Sequence, residues 1–379
     1  MSKIHSTFCS QKKVLSSRLT LLCLSLCCVF TTVSSLPAAQ TQVIDAAGRR
    51  VQVPHPVHRL VTTFKPATLC VLSLGLSDTL VGLDSSSRRD PLTMAVAPKL
   101  ATVPGVGSKS RGINLETVMS LEPDLVILFS QKSGIHLANR LRDSGFSTLV
   151  IKPETFDSIR KTLRILAAAA GIPQQASKVI KAMHRVQTLT QNRVQDIVPA
   201  QRKKVYYAGP IGFLSTAPSG MLQDMIIHRA GGRNVASHLQ GYFQRISPEQ
   251  LMSWAPQSIV LCRMIRPQAK VMLTKPEYSL MPAIQSASVH VFPSTLVPWD
   301  FPSPLSALGV LWLGARLYPD RFADIDLMHE VDSFHQTLFG RSFRQMDGHL
   351  DDGLPGKEPV RSHAHSQNQP NMSSKDHRE

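Results

Sequence analysis

Two glutamates occupy matching places in a phrase that the chain carries twice. The segment NLETVMSLEPDLVIL (114–128) returns 133 residues later as SPEQLMSWAPQSIVL (247–261), so that Glu116 corresponds to Glu249. A carboxylate at such a position can form a charge-assisted pair with a basic group. Two of them, one in each copy, could engage a two-fold symmetric partner that offers its basic group twice.

Each copy of the phrase is typical of a short helix followed by a strand. Asn114 opens the first helix. In the second, Ser247 is the cap, Pro248 takes the first helical position and Gln250 is predicted to complete a capping box. Both glutamates then lie in a first turn, where the helix macrodipole stabilises a carboxylate by about 0.3–1 kcal/mol. The residues alone leave two explanations open: dipole stabilisation, which accounts for one glutamate, and docking, which accounts for a matched pair.

A second group of residues combines cations with aromatic rings in loops. Strands alternate with helices along the chain, which predicts parallel sheets, and ligands bind beyond the carboxyl ends of such strands. The loops expected there are 62–67, 129–134, 208–213, 239–246, 262–266 and 298–304. The candidate ligand-binding residues in them are Phe64, Lys65, Lys132, Phe213, Tyr242, Phe243, Arg245, Arg263, Trp299 and Phe301. Such a set suits an anionic chelate or macrocycle, because rings stack on its flat parts and guanidinium groups meet its charge.

The length and the order of elements predict two lobes. A chain of 379 residues fits two domains. Residues 1–39 have a basic start, an apolar run and a small-residue end, which predicts a secretory signal peptide; an N-terminal membrane anchor is the alternative. The remaining parts are an N-terminal lobe (40–172), a connecting helix (173–199), a C-terminal lobe (200–340) and a disordered polar tail (341–379). A connecting helix of this length, roughly 37 Å, is expected to be rigid.

The sequence lacks the residue patterns that several other classes of function require. The net charge is +16, but no basic run is interleaved with aromatic residues, so nucleic acid is not expected as a partner. His55, His58, His228 and His238 form no convincing ligand set for a bare metal ion. The chain has no nucleophile elbow, phosphate loop or zinc-protease helix, and the spacing of Ser215, Asp224 and His228 does not favour a catalytic triad. We therefore expect no enzyme.

The span from about residue 43 to residue 340 resembles the periplasmic binding proteins of iron-siderophore, haem and cobalamin ABC importers. The matching segments, in order, are VIDAAGRRVQVPHPVHRLV, LSLGLSDTLVG, VGSKSRGINLETVMSLEPDLVI, AGGRNVA with ISPEQLMSWAPQSIVL, and WDFPSPLSALGVLWLGARLYP. The resemblance implies an α/β fold with two Rossmann-like lobes joined by a single long rigid helix, the class III architecture.

The resemblance also implies a function for both groups of residues. Glu116 and Glu249 would engage arginines on the two subunits of an inner-membrane permease that works with an ATPase, which favours docking over dipole stabilisation. The cleft aromatics would lie near Phe243 and Trp299. The expected protein is a periplasmic monomer without a cofactor of its own, which captures an iron-siderophore or a related metal chelate such as haem or a corrinoid. The alternative ligand is an oxyanion such as molybdate or tungstate, or another small metal complex.

Overall fold

The computed structural model describes residues 40–108, 112–130 and 132–353, apart from the side chain of residue 132. The predicted signal peptide and the residues after 353 lie outside this part of the chain. The strands described are β1 Gln40–Ile44, β2 Arg50–Pro54, β3 Leu60–Thr62, β4 Leu80–Gly82, β5 Gly107–Ser108, β6 Gly112–Ile113, β7 Leu125–Phe129, β8 Thr148–Ile151, β9 Lys204–Ala208, β10 Ser215–Thr216, β11 Arg233–Asn234, β12 Gln244–Arg245, β13 Ser258–Leu261 and β14 Val289–Val291.

The α-helices alternate with these strands. They are α1 Lys65–Ser73, α2 Pro91–Val96, α3 Leu115–Ser120, α4 Lys132–Asp143, α5 Phe156–Ala169, α6 Pro173–Val194, α7 Leu222–Arg229, α8 Pro248–Trp254, α9 Arg266–Leu273, α10 Pro282–Gln285, α11 Ser306–Leu317 and α12 Leu327–Phe339. In the described residues none of these helices is long and apolar enough to cross a membrane.

Each half of the chain contains one four-stranded parallel sheet. The first has the strand order β4-β3-β7-β8 and the second the order β11-β9-β13-β14. All residues of β7, β8 and β13 are buried, because helices cover both faces of a parallel sheet and its strands become nearly continuous apolar runs. The predicted fold class, two α/β lobes with parallel-sheet cores, is confirmed.

Three small two-stranded sheets accompany the two large ones. The pair β1–β2 is joined by a short turn that contains Gly48 at φ 77°. The antiparallel pair β5–β6 leads directly into α3, and the antiparallel pair β10–β12 leads into α8. The helix of each phrase copy is therefore entered from a short antiparallel pair and left through a central parallel strand.

The long helix α6 runs between the two halves, where a connector was expected. Its 22 residues span roughly 33 Å. It packs against α5 on one side and against α11 and α12 on the other, and it buries Val179, Met183 and Val186. A helix held by packing along its length resists bending, which agrees with a rigid connection.

Residues 341–353, which follow α12, pack on the folded body, although the sequence predicts a disordered tail from residue 341. Arg341 donates a hydrogen bond from Nη1 to the carbonyl oxygen of Ala95 at 2.8 Å, and Asp352 accepts from Trp312 Nε1 at 2.8 Å. The polar composition of the segment favours disorder. The prediction differs from the structure because the sequence alone does not show that these charged groups find partners on the folded body. The segment also contacts α2 of the first lobe.

Candidate functional site

The two glutamate-bearing helices have the same local construction. Asn114 Oδ1 accepts from the backbone N–H of Thr117 at 3.1 Å, and Ser247 Oγ accepts from that of Gln250 at 3.2 Å. Pro248 takes the first helical position of α8 as predicted. The predicted capping box is not formed, because the Gln250 side chain donates to Ser253 Oγ at 3.2 Å instead of turning back to the cap.

The correspondence continues past the ends of both helices. Glu122 and Ala255, which are also 133 residues apart, both have left-handed backbone conformations with φ 44° and 45°. Between cap and end, Val118 and Leu251 occupy equivalent positions and are both fully buried. The two segments are therefore similar in backbone conformation and burial as well as in sequence.

Glu116 and Glu249 are exposed, and neither has an ion-pair partner among the residues that the structure describes. A hydrogen bond with Ser247 lowers the pKa of Glu249. Both side chains are thus free to meet a basic group on another molecule. First-turn carboxylates that served only their own helix dipole would be satisfied by this same geometry.

Phe64 and Lys65 lie where β3 ends, at the carboxyl edge of the first sheet. The Phe64 ring makes an edge contact with Phe129, with 5.1 Å between the centroids. Lys65 forms an ion pair with Asp90, and its Nζ lies 5.4 Å from the centroid of the Phe301 ring in the second lobe. The structure therefore brings together two predicted site residues, Lys65 and Phe301, across the junction of the lobes.

A second lysine makes a similar contact between the lobes. Lys152 follows β8, lies 3.4 Å from Glu154 and hydrogen bonds to Tyr242 of the second lobe. Burial acts to lower the pKa of Lys152, but Glu154 and Tyr242 together raise it. Lys152 was not among the predicted site residues. The rule that selected the other loops, position just after a parallel strand, would have found it.

The second lobe buries a carboxyl group beside the predicted ring Phe301. Asp300 is 3% exposed, and its Oδ2 accepts from the Tyr207 hydroxyl at 2.7 Å. Burial raises the pKa of Asp300 to about 6, while hydrogen bonds from Tyr207 and Cys262 oppose the shift. Tyr207 and Cys262 lie at the carboxyl ends of β9 and β13, so this cluster marks the edge of the second sheet that faces the first lobe's lysines.

Phe243 and Arg245 belong to the segment that borders the same edge. The Phe243 ring stacks on Tyr207 with 6.3 Å between centroids, and it lies so close to Gly209 that a Cβ there would be 3.0 Å from the ring. Arg245 lies opposite Ser215 in the pair β10–β12 and is exposed. Within the described ranges, Arg245 has no acidic partner.

The other predicted site residues are placed differently. Trp299 and Phe213 are buried in the hydrophobic core, with 0% and 1% exposure. Arg263 donates from Nη1 to the carbonyl oxygen of Asp351 at 3.0 Å and pairs with its carboxylate, so its charge is already met within the chain. The side chain of Lys132 lies outside the described residues. All of these remain predictions as ligand-binding residues.

One cavity lies at this surface and another lies away from it. One of about 160 Å³ lies at the carboxyl edge of the first sheet and is lined by Thr63, Phe64, Ile113 and Phe129, among others. A larger one, of about 410 Å³, lies at the opposite edge of the second sheet, near Lys203 and His290, and is remote from the junction. In the described part of the chain no group of three or more His, Cys, Asp or Glu side chains could hold a metal ion.

Comparison with known proteins relates this arrangement to one family. The sequence profile of the family described as "Periplasmic binding protein" matches residues 60–296, which is more than half of the chain. The molybdate-binding protein MolA of Haemophilus influenzae is 24% identical in an alignment of 343 residues that covers 85% of this chain and 97% of MolA. The vitamin B12-binding protein of Salmonella typhimurium is 28% identical over 204 residues, covering 53% of this chain and 71% of that protein.

Solved structures show the same architecture. The molybdate-bound MolA structure from Haemophilus influenzae has a TM-score of 0.71 at 22% identity, and covers 80% of this chain and 98% of its own. A nickel-histidine complex of CeuE from Helicobacter pylori has a TM-score of 0.69 at 18% identity, and covers 82% and 98%. At these identities the likeness concerns the fold.

Proposed function

This chain belongs to the periplasmic binding protein family, and from that premise we propose that it captures a small anionic ligand between its lobes and delivers it to a membrane permease. The family membership confirms the resemblance predicted from the sequence and the class of function, the substrate-binding component of an ABC importer. The family consists of solute-binding proteins, and no catalytic step is part of the proposal. The place of capture is the periplasm, which the chain would reach through its basic-apolar leader.

The proposal of an anionic ligand rests on one observation, that Arg245 is exposed without an acidic partner in the described residues. Its guanidinium is exposed at the cleft edge and has no acidic partner in the described residues, whereas Arg263 is paired with Asp351. Lys65 and Lys152 lie at the same junction, the first beside the Phe301 ring and the second beside Tyr242, but each is already paired with an acidic side chain of the first lobe, Asp90 and Glu154. A negatively charged ligand would meet Arg245 with charge-assisted hydrogen bonds.

The relatives narrow the ligand to two candidates. MolA, whose name states molybdate binding, matches 85% of this chain, so a tetrahedral oxyanion is the first candidate. The vitamin B12-binding protein matches 53% of the chain and favours a metal chelate, the class first expected from arginine and aromatic residues, as the second. Rings at the junction, including Phe301 and Tyr242, suit the apolar surface of a chelate better than an oxyanion.

The experiment is a binding titration of the purified protein with molybdate, tungstate, haem and cobalamin. We expect one of them to bind at one site per chain and to be recovered unchanged. Arg245→Ala should weaken that ligand by about 1.5–3 kcal/mol, because a charged hydrogen bond is lost. The matched variant Arg263→Ala should change the affinity little, because its partner is Asp351. No binding by any of the four would refute the two ligand candidates, and a chemically altered ligand would refute the role as a binding protein.

A further inference from the structure

Two exposed methionines repeat the pattern of the two glutamates. Met119 and Met252 each follow a glutamate by three residues, and their exposures are 38% and 36%. The large hydrophobic side chains exposed in the described residues are Ile44, Met119, Val198, Ile211, Tyr242, Met252, Met264, Val271 and Leu280. Met119 and Met252 are the two of this set that fall on equivalent positions of the repeat.

Helix geometry puts each methionine beside its glutamate. Residues three apart lie on the same side of a helix. The residues just before the methionines, Val118 and Leu251, point the other way and are fully buried. Because the two helices begin at equivalent caps and end at equivalent left-handed residues, the carboxylate and the thioether have the same arrangement in both copies.

A matched pair needs a reason that a single exposed methionine does not. Scattered apolar side chains on a protein surface are normal. The same exposed side chain at the same place in both lobes, next to a carboxylate that has no ion-pair partner in the described residues, indicates one surface used twice. Methionine adapts its shape to an apolar pocket, which suits a contact that forms and breaks during each transport cycle.

We infer that Met119 and Met252 form an apolar second pair of contacts with the two-fold partner that Glu116 and Glu249 engage. The partner fits if each of its two subunits presents a basic group beside a shallow apolar pocket, for carboxylate and thioether respectively. The two subunits then receive equal contacts from the two lobes. This inference rests on the proposed docking to a permease dimer and adds an apolar component to it.

The test measures the affinity of the full chain for the permease–ATPase complex that takes up its ligand, reconstituted in lipid nanodiscs. The variants are Met119→Gln, Met252→Gln and the double variant, since glutamine keeps the length and helix propensity of methionine. Met264→Gln is the matched control, because Met264 is 75% exposed but lies outside both helices.

We expect the two single variants to weaken the complex by similar factors, and the double variant to weaken it about tenfold or more. Met264→Gln should bind the permease–ATPase complex with the affinity of the wild type. The Met119 and Met252 variants should keep their affinity for the small ligand. High salt should reduce the contribution of the glutamates but leave the contribution of the methionines, because screening acts on charges.

The charge-reversed pair Glu116→Lys and Glu249→Lys, measured in the same assay, distinguishes a failure of the methionine contact from a failure of the docking itself. If charge reversal abolishes the complex and the glutamine variants do not weaken it, the methionine contact is refuted while docking stands. If neither set of variants changes the affinity, docking itself is refuted. An effect of Met264→Gln equal to that of the double variant also refutes the inference, because the contact is then not specific to the repeat.

Discussion

Helices α3 and α8 correspond residue by residue, while the loops at the junction of the lobes do not. Caps, buried residues, exposed residues and left-handed ends recur at a constant offset in the two helices. Beyond β7 and β13, the strands that follow these helices, the two halves of the chain no longer correspond. Phe129 packs on Phe64 in the first lobe. Arg263, one residue beyond Cys262 in the second lobe, is paired with Asp351 of the segment that follows α12.

Two buried acids, Asp84 in the first lobe and Asp300 in the second, have different surroundings. Asp84 accepts hydrogen bonds from the hydroxyls of Thr68 and Ser87, at 3.0 and 2.6 Å, from the backbone N–H of Ser87 at 3.1 Å, and from Ser86. Asp300 accepts from Tyr207 and is in contact with Cys262. One carboxylate is surrounded by donors, and the other lies in a largely apolar setting.

This contrast has a physical explanation. A partner made of two equal subunits presents the same surface twice, so it maintains both copies of its contact. A small ligand held in the cleft does not require equal contacts from the two lobes, so the loops that meet it are free to diverge. On the docking that we propose, similarity between the lobes would mark the surface for the permease, and difference would mark the surface for the ligand.

The largest expected effect comes from reversing the charge of the repeated surface. Glu116→Lys with Glu249→Lys should abolish uptake in a transport assay, because two favourable pairs with basic groups become repulsive. Ligand affinity in the same protein should equal that of the wild type. Uptake at the wild-type rate would mean that the repeat has no part in docking.

The next largest effect concerns Asp300, at the edge of the second sheet. It is measured as the pH dependence of the free energy of unfolding. Burial raises the pKa of Asp300 to about 6 from 3.8, so between these pH values the folded protein holds a proton that the unfolded chain has lost. The ionised carboxyl therefore reduces stability as the pH rises through this window, by an amount on the order of 3 kcal/mol above it. Asp300→Asn removes this dependence.

The measurement compares the free energy of unfolding of Asp300→Asn with that of the wild type at pH 3.5 and 7.5. The difference should shift in favour of the variant at the higher pH. The buried His290 and His335, whose pKa burial lowers to about 4, are the same in both proteins and cancel. Asp84→Asn should instead destabilise the protein at pH 7.5, by about 1–3 kcal/mol, because donors lose a charged acceptor. A pH-independent difference for Asp300→Asn contradicts this account.

Much of the fold was predictable because its signals are local. The parallel strands are short apolar runs, the long helix has a continuous helical pattern, and the repeat is visible in the letters themselves. The caps at Asn114 and Ser247 follow from residue type and position. These features depend on neighbours along the chain, which the sequence shows directly.

The site was less predictable because its contacts join residues far apart in sequence. Nothing near Arg263 indicates that Asp351 pairs with it, and this pairing also explains why residues 341–353 pack on the folded body. Trp299 has the residue type and the loop position of a cleft aromatic but packs in the core, where its ring lies 6.2 Å from that of Phe343. Loop position identifies an edge of the sheet, while the direction of a side chain depends on its tertiary partners.

The central claim is that one chain contacts both permease subunits through its two equivalent helices. Photocrosslinking tests it most directly, with a benzoylphenylalanine in place of Ser120 and of Ser253, which are exposed next to the glutamates and leave them intact. We predict that the doubly substituted chain joins two permease subunits in one product and that each singly substituted chain joins one. If the doubly substituted chain never joins more than one subunit, while one of the single positions gives no product, the two-fold docking is contradicted.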